Sequence, residues 1–241
     1  MMGRLAGRIV LVTGASRGIG AAVARACAAE GATLVLTART RGGLEETDDA
    51  VRAHGAAATL ITLDLTKDGL VDALGAALYE RFGRLDGLAA CAGELGVLTP
   101  VSHLDPKVLL RTMTVNALAN QRLIRTLEPL LKAASDARAV FATDRKAHED
   151  AAYWGCYAAS KLALEALVLA WAAELRQSPV RVNLLDPGPV GTRLREKAYP
   201  GLPPTSFPTP DQVAPAFVDL LAPDCTRHGE LVGRDCGAAV A

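Results

Sequence analysis

Apolar residues gather in short continuous runs along this chain, and between the runs lie longer Ala- and Leu-rich stretches with helical spacing. Residues 9–12 form the first run and read as a buried strand. A glycine-rich turn follows, and residues 20–30 read as a helix that Gly31 stops. The alternation continues, with further strands expected at 33–37, 58–63, 85–90, 139–142 and 180–185 and a short seventh at 231–232. Helices are expected over 43–53, 67–82, 105–134 (Pro129 lies near its end) and about 157–177. Strands that are apolar throughout must be covered on both faces, and alternating helices supply the cover. The pattern predicts an α/β fold: a Rossmann-like three-layer α/β/α sandwich with a mainly parallel seven-stranded sheet, in one domain over 1–241.

One segment breaks the rhythm. Residues 193–210 hold Pro200, Pro203, Pro204, Pro208 and Pro210, and an irregular surface loop is expected there. Long loops in compact domains often serve function, so this one is either a substrate lid or an ordinary connection.

Charge narrows the class of partner. Lys+Arg and Asp+Glu number 26 each, so the basic excess of a nucleic-acid binder is absent and a small molecule is the expected partner. The five cysteines (Cys27, Cys91, Cys156, Cys225, Cys236) and the four histidines show no metal-ligand spacing, and no metal is expected. The first eight residues are short and polar for a signal peptide, and no run is read as reaching the roughly 20 apolar residues that span a bilayer. A cytoplasmic protein with reduced cysteines, packed as small hydrophobes, is the expectation.

Two motifs carry chemistry. The first is Thr13-Gly14-Ala15-Ser16-Arg17-Gly18-Ile19-Gly20, between the first strand and the first helix. Gly14 permits a tight turn. The bare backbone at Gly18 and Gly20 lets a pyrophosphate approach a helix N-terminus, whose free N–H groups and dipole favour negative charge. An acid at the end of the second strand would select NAD, but that strand ends Thr37-Ala38-Arg39. Arg39 and Arg17 can hold a 2′-phosphate by forked hydrogen bonds, which favours NADP(H); otherwise both are solvated surface charges.

The second motif is Tyr157-Ala158-Ala159-Ser160-Lys161. Tyr157 and Lys161 lie four apart on an expected helix and share a face. A free phenol is a poor acid or base at neutral pH, and a close ammonium lowers its pKa. The tuned phenol then moves a proton while hydride moves to or from carbon.

Together these motifs resemble the short-chain dehydrogenase/reductase family, and the resemblance runs from about residue 5 to 235. It implies that Asp64-Leu65 contacts adenine, and that Ala90, Ala92 and Gly93 of Ala90-Cys91-Ala92-Gly93 line the cofactor where the family has Asn-Asn-Ala-Gly. It implies that Asn116 helps hold a water linking the lysine to solvent, and that Lys161 also binds the ribose. By the same likeness Pro187, Gly188, Val190 and Thr192 belong to the segment against the nicotinamide. A homodimer or homotetramer through the two long helices is likewise implied.

The resemblance fails at one position. The family places a substrate-binding serine thirteen residues before the tyrosine, and this chain has Asp144 there. An ionised carboxylate repels the oxyanion of carbonyl reduction. Four readings stand open: Asp144 is protonated and donates; Thr143 supplies the hydroxyl; Asp144 suits a cationic substrate such as an iminium; or the chemistry is lost. Two functions follow. One is an NADP-dependent oxidoreductase of a small carbonyl or imine, with Tyr157, Lys161, Asn116 and Asp144 as its catalytic set. The other is an NADP(H)-binding sensor or scaffold. Tyr153 and Trp154 line a substrate pocket or an interface, and His148 stands near the expected substrate mouth with no assigned role.

Overall fold

In strand β1 (Ile9–Thr13) of the computed structural model, Ile9 and Leu11 pack into one buried cluster and Val10 and Val12 into another. Side chains alternate across a strand, so one apolar run feeds a core on each face. The same division holds in β2 (Thr33–Ala38), where Val35 faces one way and Leu34 and Leu36 the other. Each fully buried Leu or Val contributes about 1.5–3 kcal/mol, and this is what fixes the layers. The structure describes residues 3–233, so the ends of the 1–241 domain expectation and Cys236 lie outside the described residues.

The remaining strands are β3 (Ala58–Thr62), β4 (Gly87–Ala90), β5 (Arg138–Ala142), β6 (Arg181–Asp186) and β7 (Leu231–Gly233). Their order is β3-β2-β1-β4-β5-β6-β7. Every pairing is parallel, so the sheet is wholly rather than mainly parallel among the described residues. Helices α1 (Gly18–Ala29) and α2 (Arg41–Arg52) cover one face, through Val23, Cys27, Leu44 and Val51. Helix α3 (Asp68–Phe82) covers the other through Leu74 and Leu78. Strand order reverses between β1 and β4, and at such a point the carboxyl ends of the strands open a crevice.

The long helix expected over 105–134 is three pieces. Helix α4 (Pro106–Met113) passes through one π-helical turn (Thr114–Leu118) into α5 (Ala119–Lys132). A π turn inserts one residue into the helical ladder, often at functional sites, and this one holds the buried Asn116. Helix α6 (Gly155–Glu174) begins two residues before the expected start. It is the one helix among the described residues long and apolar enough to cross a membrane by length and composition, contrary to the expectation of none. Half of that stretch is buried in the core, where Leu164, Val168 and Trp171 join the α3 face.

The expectation of an irregular 193–210 segment needs correcting. It opens with a short helix, α7 (Arg193–Ala198), and carries a single 3-10 turn at Pro204–Ser206. Helix α8 (Pro210–Leu221) then follows, unforeseen from the sequence. The prolines that signalled a loop are also helix starters: Pro210 occupies the first turn, where its missing N–H costs nothing, and Thr209 with Gln212 forms a capping box. Phe217 and Leu221 seat α8 beside α1.

Candidate active site

The glycine turn is shaped by contact. Gly14 has φ +66°, and a Cβ there would lie 2.9 Å from the Ala92 Cα. At Gly20 a Cβ would stand 2.4 Å from the Gly14 carbonyl oxygen. Ala92 N donates to Thr13 Oγ1 at 3.2 Å, tying the end of β1 to the loop after β4. No side chain caps the first turn of α1. Ser16, Arg17 and Gly18 line an open cavity of about 340 Å³ with Arg25, Glu46, Thr47 and Pro210. Arg17 and Arg39 are exposed, and neither guanidinium forms a hydrogen bond or ion pair among the described residues. Ile19 is half-buried behind the turn.

Around this turn the other expected cofactor residues gather. Asp64 accepts from Thr66 N at 3.0 Å and Thr66 Oγ1 at 2.8 Å. These bonds, helped by Arg39, hold its carboxyl below the usual carboxylate range. Leu65 is buried beneath it, and Ala90 ends β4. A Cβ on Gly93 would lie 3.7 Å from Lys161 Nζ, so this glycine keeps the space over the lysine clear. Pro187 precedes Gly188, which has φ +68° and donates to Asp186 Oδ1 at 2.9 Å. Val190 is buried, and Thr192 caps α7 while its methyl lies 3.5 Å from where a Cβ of Gly18 would be.

Cys91 stands where the resemblance leads one to expect asparagine. Burial pushes its thiol up to about 12, so it behaves as a small protonated hydrophobe.

At the centre, Tyr157 donates to Asp144 Oδ2 at 3.2 Å, and Asp144 Oδ1 accepts from Lys146 N at 2.9 Å. Both carboxylate oxygens therefore act as acceptors. Burial first, then the Asp144 charge and its hydrogen bond, push the Tyr157 phenol well above the ordinary tyrosine value. This corrects the expectation that Lys161 lowers it. Lys161 Nζ lies 5.8 Å from the ring centroid and donates to Ala142 O at 2.9 Å. Burial pulls its ammonium down, against the opposing pull of Asp144 and Glu165.

Asn116 is fully buried. Its Nδ2 donates to Glu94 O and to Ser160 Oγ, each at 2.8 Å, and its Oδ1 accepts from Glu94 N at 2.9 Å. The side chain thus pins the loop after β4 to α6. Both Nδ2 hydrogens are engaged, and Oδ1 keeps one lone pair beyond the bond from Glu94 N. Ser160 in turn donates to Tyr157 O at 2.7 Å.

Thr143 is buried and donates to Glu165 Oε1, away from the tyrosine. It does not replace the absent serine. Glu165 Oε2 is also held by His148 Nε2 at 2.7 Å, which gives His148 a place the sequence left open. Glu165 was missed although it lies four residues after Lys161 on the same helix face. Asp186, buried at the end of β6, was missed as well, and its signal was an acid closing an otherwise apolar strand. Burial raises its carboxyl, and Asp144 adds to this against the amide of Gly188.

An aromatic wall completes the site. Trp154 packs edge-on against Tyr157, with centroids 5.8 Å apart, and lies 5.8 Å from Tyr199, just past α7. Trp154 is therefore a wall of the crevice, whereas Tyr153 is exposed with φ 73°. Arg195 of α7 lies 5.2 Å from the Tyr199 ring and 5.5 Å from that of Phe207. Among the described residues no cluster of His, Cys, Asp and Glu is placed to hold a metal.

Residues 8–202 match the family described as short chain dehydrogenase. The chain is 34% identical over 224 residues to the uncharacterized oxidoreductase YciK of Escherichia coli K12, covering 91% of this chain and 88% of that one. A short chain dehydrogenase from Pseudomonas syringae superposes with TM-score 0.94 at 38% identity, over 97% of each chain. One from Shigella flexneri 2a, solved complexed with NADP, gives TM-score 0.93 at 32% identity, covering 98% of this chain and 100% of that one. In sequence and in fold, this oxidoreductase chain belongs to the short-chain dehydrogenase family.

Proposed function

We propose that the chain is an NADPH-dependent reductase of a small carbonyl or imine. The carrying observation is the Tyr157 hydroxyl facing Asp144 at 3.2 Å, with Lys161 one turn along α6 and the glycine turn alongside. The residues fit a dinucleotide. Gly14 and Gly20 let the turn pack tightly on the backbone around it, and the first turn of α1 has no side-chain cap, so its N–H groups are open to a pyrophosphate. Arg17 and Arg39 are free to take a 2′-phosphate, and the NADP bound to the Shigella flexneri relative supports that choice. On this reading Asp64, Leu65, Ala90, Ala92, Gly93, Pro187, Gly188, Val190 and Thr192, beyond the carboxyl ends of β3, β4 and β6 or at them, contact the dinucleotide. When bound, the reduced dinucleotide supplies hydride.

The chain's own residues handle the proton and the position. Burial and Asp144 keep Tyr157 protonated, which is the form a reduction needs in its acid. Lys161, anchored on Ala142 O and 5.8 Å from the Tyr157 ring centroid, supplies positive charge beside the phenol and on this reading binds the ribose. Asn116 positions α6 against the loop after β4, and Trp154 packs edge-on against the Tyr157 ring. A second copy of the chain covers the exposed Leu110, Leu162 and Leu169 of α4 and α6.

One observation favours the alternative of an NADP(H)-binding sensor: with Thr143 turned to Glu165, no serine or threonine hydroxyl among the described residues bonds the Tyr157 hydroxyl, whose partner is Asp144. NADPH consumption over a panel of ketones, aldehydes, quinones and imines decides between them. Turnover that Tyr157→Phe removes supports the reductase. Tight NADPH binding without turnover of any compound supports the sensor.

A further inference from the structure

Asp144 sits where the heteroatom of a substrate must meet Tyr157. The Lys146 amide fixes Oδ1, and the Tyr157 hydroxyl reaches Oδ2 at 3.2 Å, which is long for an O–H···O bond. Oδ2 therefore keeps capacity for a further donor. A second carboxylate, Asp186, closes the neighbouring strand and adds negative potential at the phenol. The Trp154 ring packs against both Tyr157 and Tyr199. Nearby positive charges have partners of their own: Lys161 on Ala142 O, Lys146 on Glu149 and 5.4 Å from the Trp154 ring centroid, and Arg195 over Tyr199 and Phe207, while Asp144 also acts on the charges of Lys161 and Lys146. Arg145 is exposed and offsets Asp186. Glu165 lies behind Lys161, bonded to Thr143 and His148.

Carbonyl reduction builds negative charge on oxygen, and a carboxylate at that point opposes it. Reduction of a protonated C=N bond discharges a positive charge instead. A carboxylate beside that nitrogen favours the protonated iminium, the electrophilic form, over the neutral imine. Resting on the reductase reading above, we propose that the site acts on a cationic C=N carbon, an iminium reduced to an amine, with Asp144 as its counter-ion. The iminium carbon gains a hydride from NADPH, and a C–H bond forms. The C=N π pair moves onto nitrogen, NADPH is oxidised to NADP+, and the charge on the substrate is lost. No proton moves in this step, and the new lone pair accepts from the Tyr157 hydroxyl.

The test compares 2-methyl-1-pyrroline with cyclopentanone in NADPH oxidation, for wild type, Asp144→Asn and Asp144→Ser. Calorimetry of pyrrolidine hydrochloride on the NADPH-loaded protein adds a readout that needs no turnover. The expected result is a wild-type preference for the imine. Both imine turnover and pyrrolidinium binding fall about ten- to a hundredfold in Asp144→Asn, the worth of a charge-assisted bond. Asp144→Ser shifts preference toward the ketone. Pyrrolidinium binding indifferent to Asp144→Asn overturns the proposal, as does wild-type reduction of cyclopentanone equal to that of the imine. Either result leaves the reductase reading standing in a protein that consumes NADPH. Failure to bind NADPH at all overturns that reading instead.

Discussion

The Tyr157 hydroxyl donates to Asp144 Oδ2 across 3.2 Å, from helix α6 to the loop that leaves β5. This bond reverses the usual expectation for a tyrosine beside a lysine. It stabilises the neutral phenol and penalises the phenolate, so the proton stays on oxygen. The phenol's raised pKa means its acid form is present at all lower pH. Reduction by the wild type is therefore expected to show no falling limb from Tyr157 up to at least about pH 10, the free-tyrosine value. In Asp144→Ser the falling limb moves to lower pH. The check is kcat against pH for both proteins, and a limb at the same pH in each counts against the account.

Thr143 offers a separate test, because its hydroxyl serves Glu165. Thr143→Val leaves a buried carboxylate short of one donor, which costs about 1–3 kcal/mol of stability. Chemical denaturation is expected to show this loss, with NADPH consumption retained in the folded variant. Unchanged stability with lost turnover would mean that Thr143 acts on substrate after all.

The glycines separate by their surroundings. Gly20→Ala drives a Cβ to 2.4 Å from a backbone oxygen and should cost both stability and NADPH binding. Gly69→Ala, in the first turn of α3 with nothing within 4 Å, should be neutral or stabilising by up to about 1 kcal/mol. Thermal unfolding and NADPH fluorescence titration distinguish the two. Equal behaviour would remove the close-packed turn from the argument.

Arg39 and Arg17 are expected to choose the dinucleotide. Arg39→Asp should weaken NADPH about ten- to a hundredfold and leave NADH unchanged or tighter, by loss of a charged hydrogen bond and gain of a ribose acceptor. Parallel titrations with NADPH and NADH measure the ratio. A ratio that does not move means that both arginines are solvent charges.

Much of this was readable along the chain, because strands, glycine turn and the Tyr157–Lys161 spacing are local patterns. The seven strands lay within two residues of their expected places, since a run of Val, Leu and Ile must be buried wherever it falls. The π turn at Asn116 was not legible. It depends on the amide bridging Glu94 and Ser160, residues distant in sequence. Helix α8 was hidden behind its own proline signal. The direction of the Tyr157 pKa was misread for a related reason: spacing places Lys161 on the right face, but only the fold shows that its ammonium goes to Ala142 O while Asp144 holds the phenol. The Thr143–Glu165–His148 chain likewise joins three elements that no periodicity connects.

The most direct measurement is NADPH consumption by wild type and Tyr157→Phe side by side, with NADPH affinity measured on the same samples. The account predicts turnover of at least one carbonyl or imine by the wild type. For a carbonyl it predicts a fall of about a hundredfold or more in Tyr157→Phe, the usual worth of a positioned acid, and for an iminium the smaller loss of one hydrogen bond, with NADPH affinity held within a few-fold in both. Equal rates in the two proteins, or a wild type that binds NADPH tightly and turns over no compound, would contradict it.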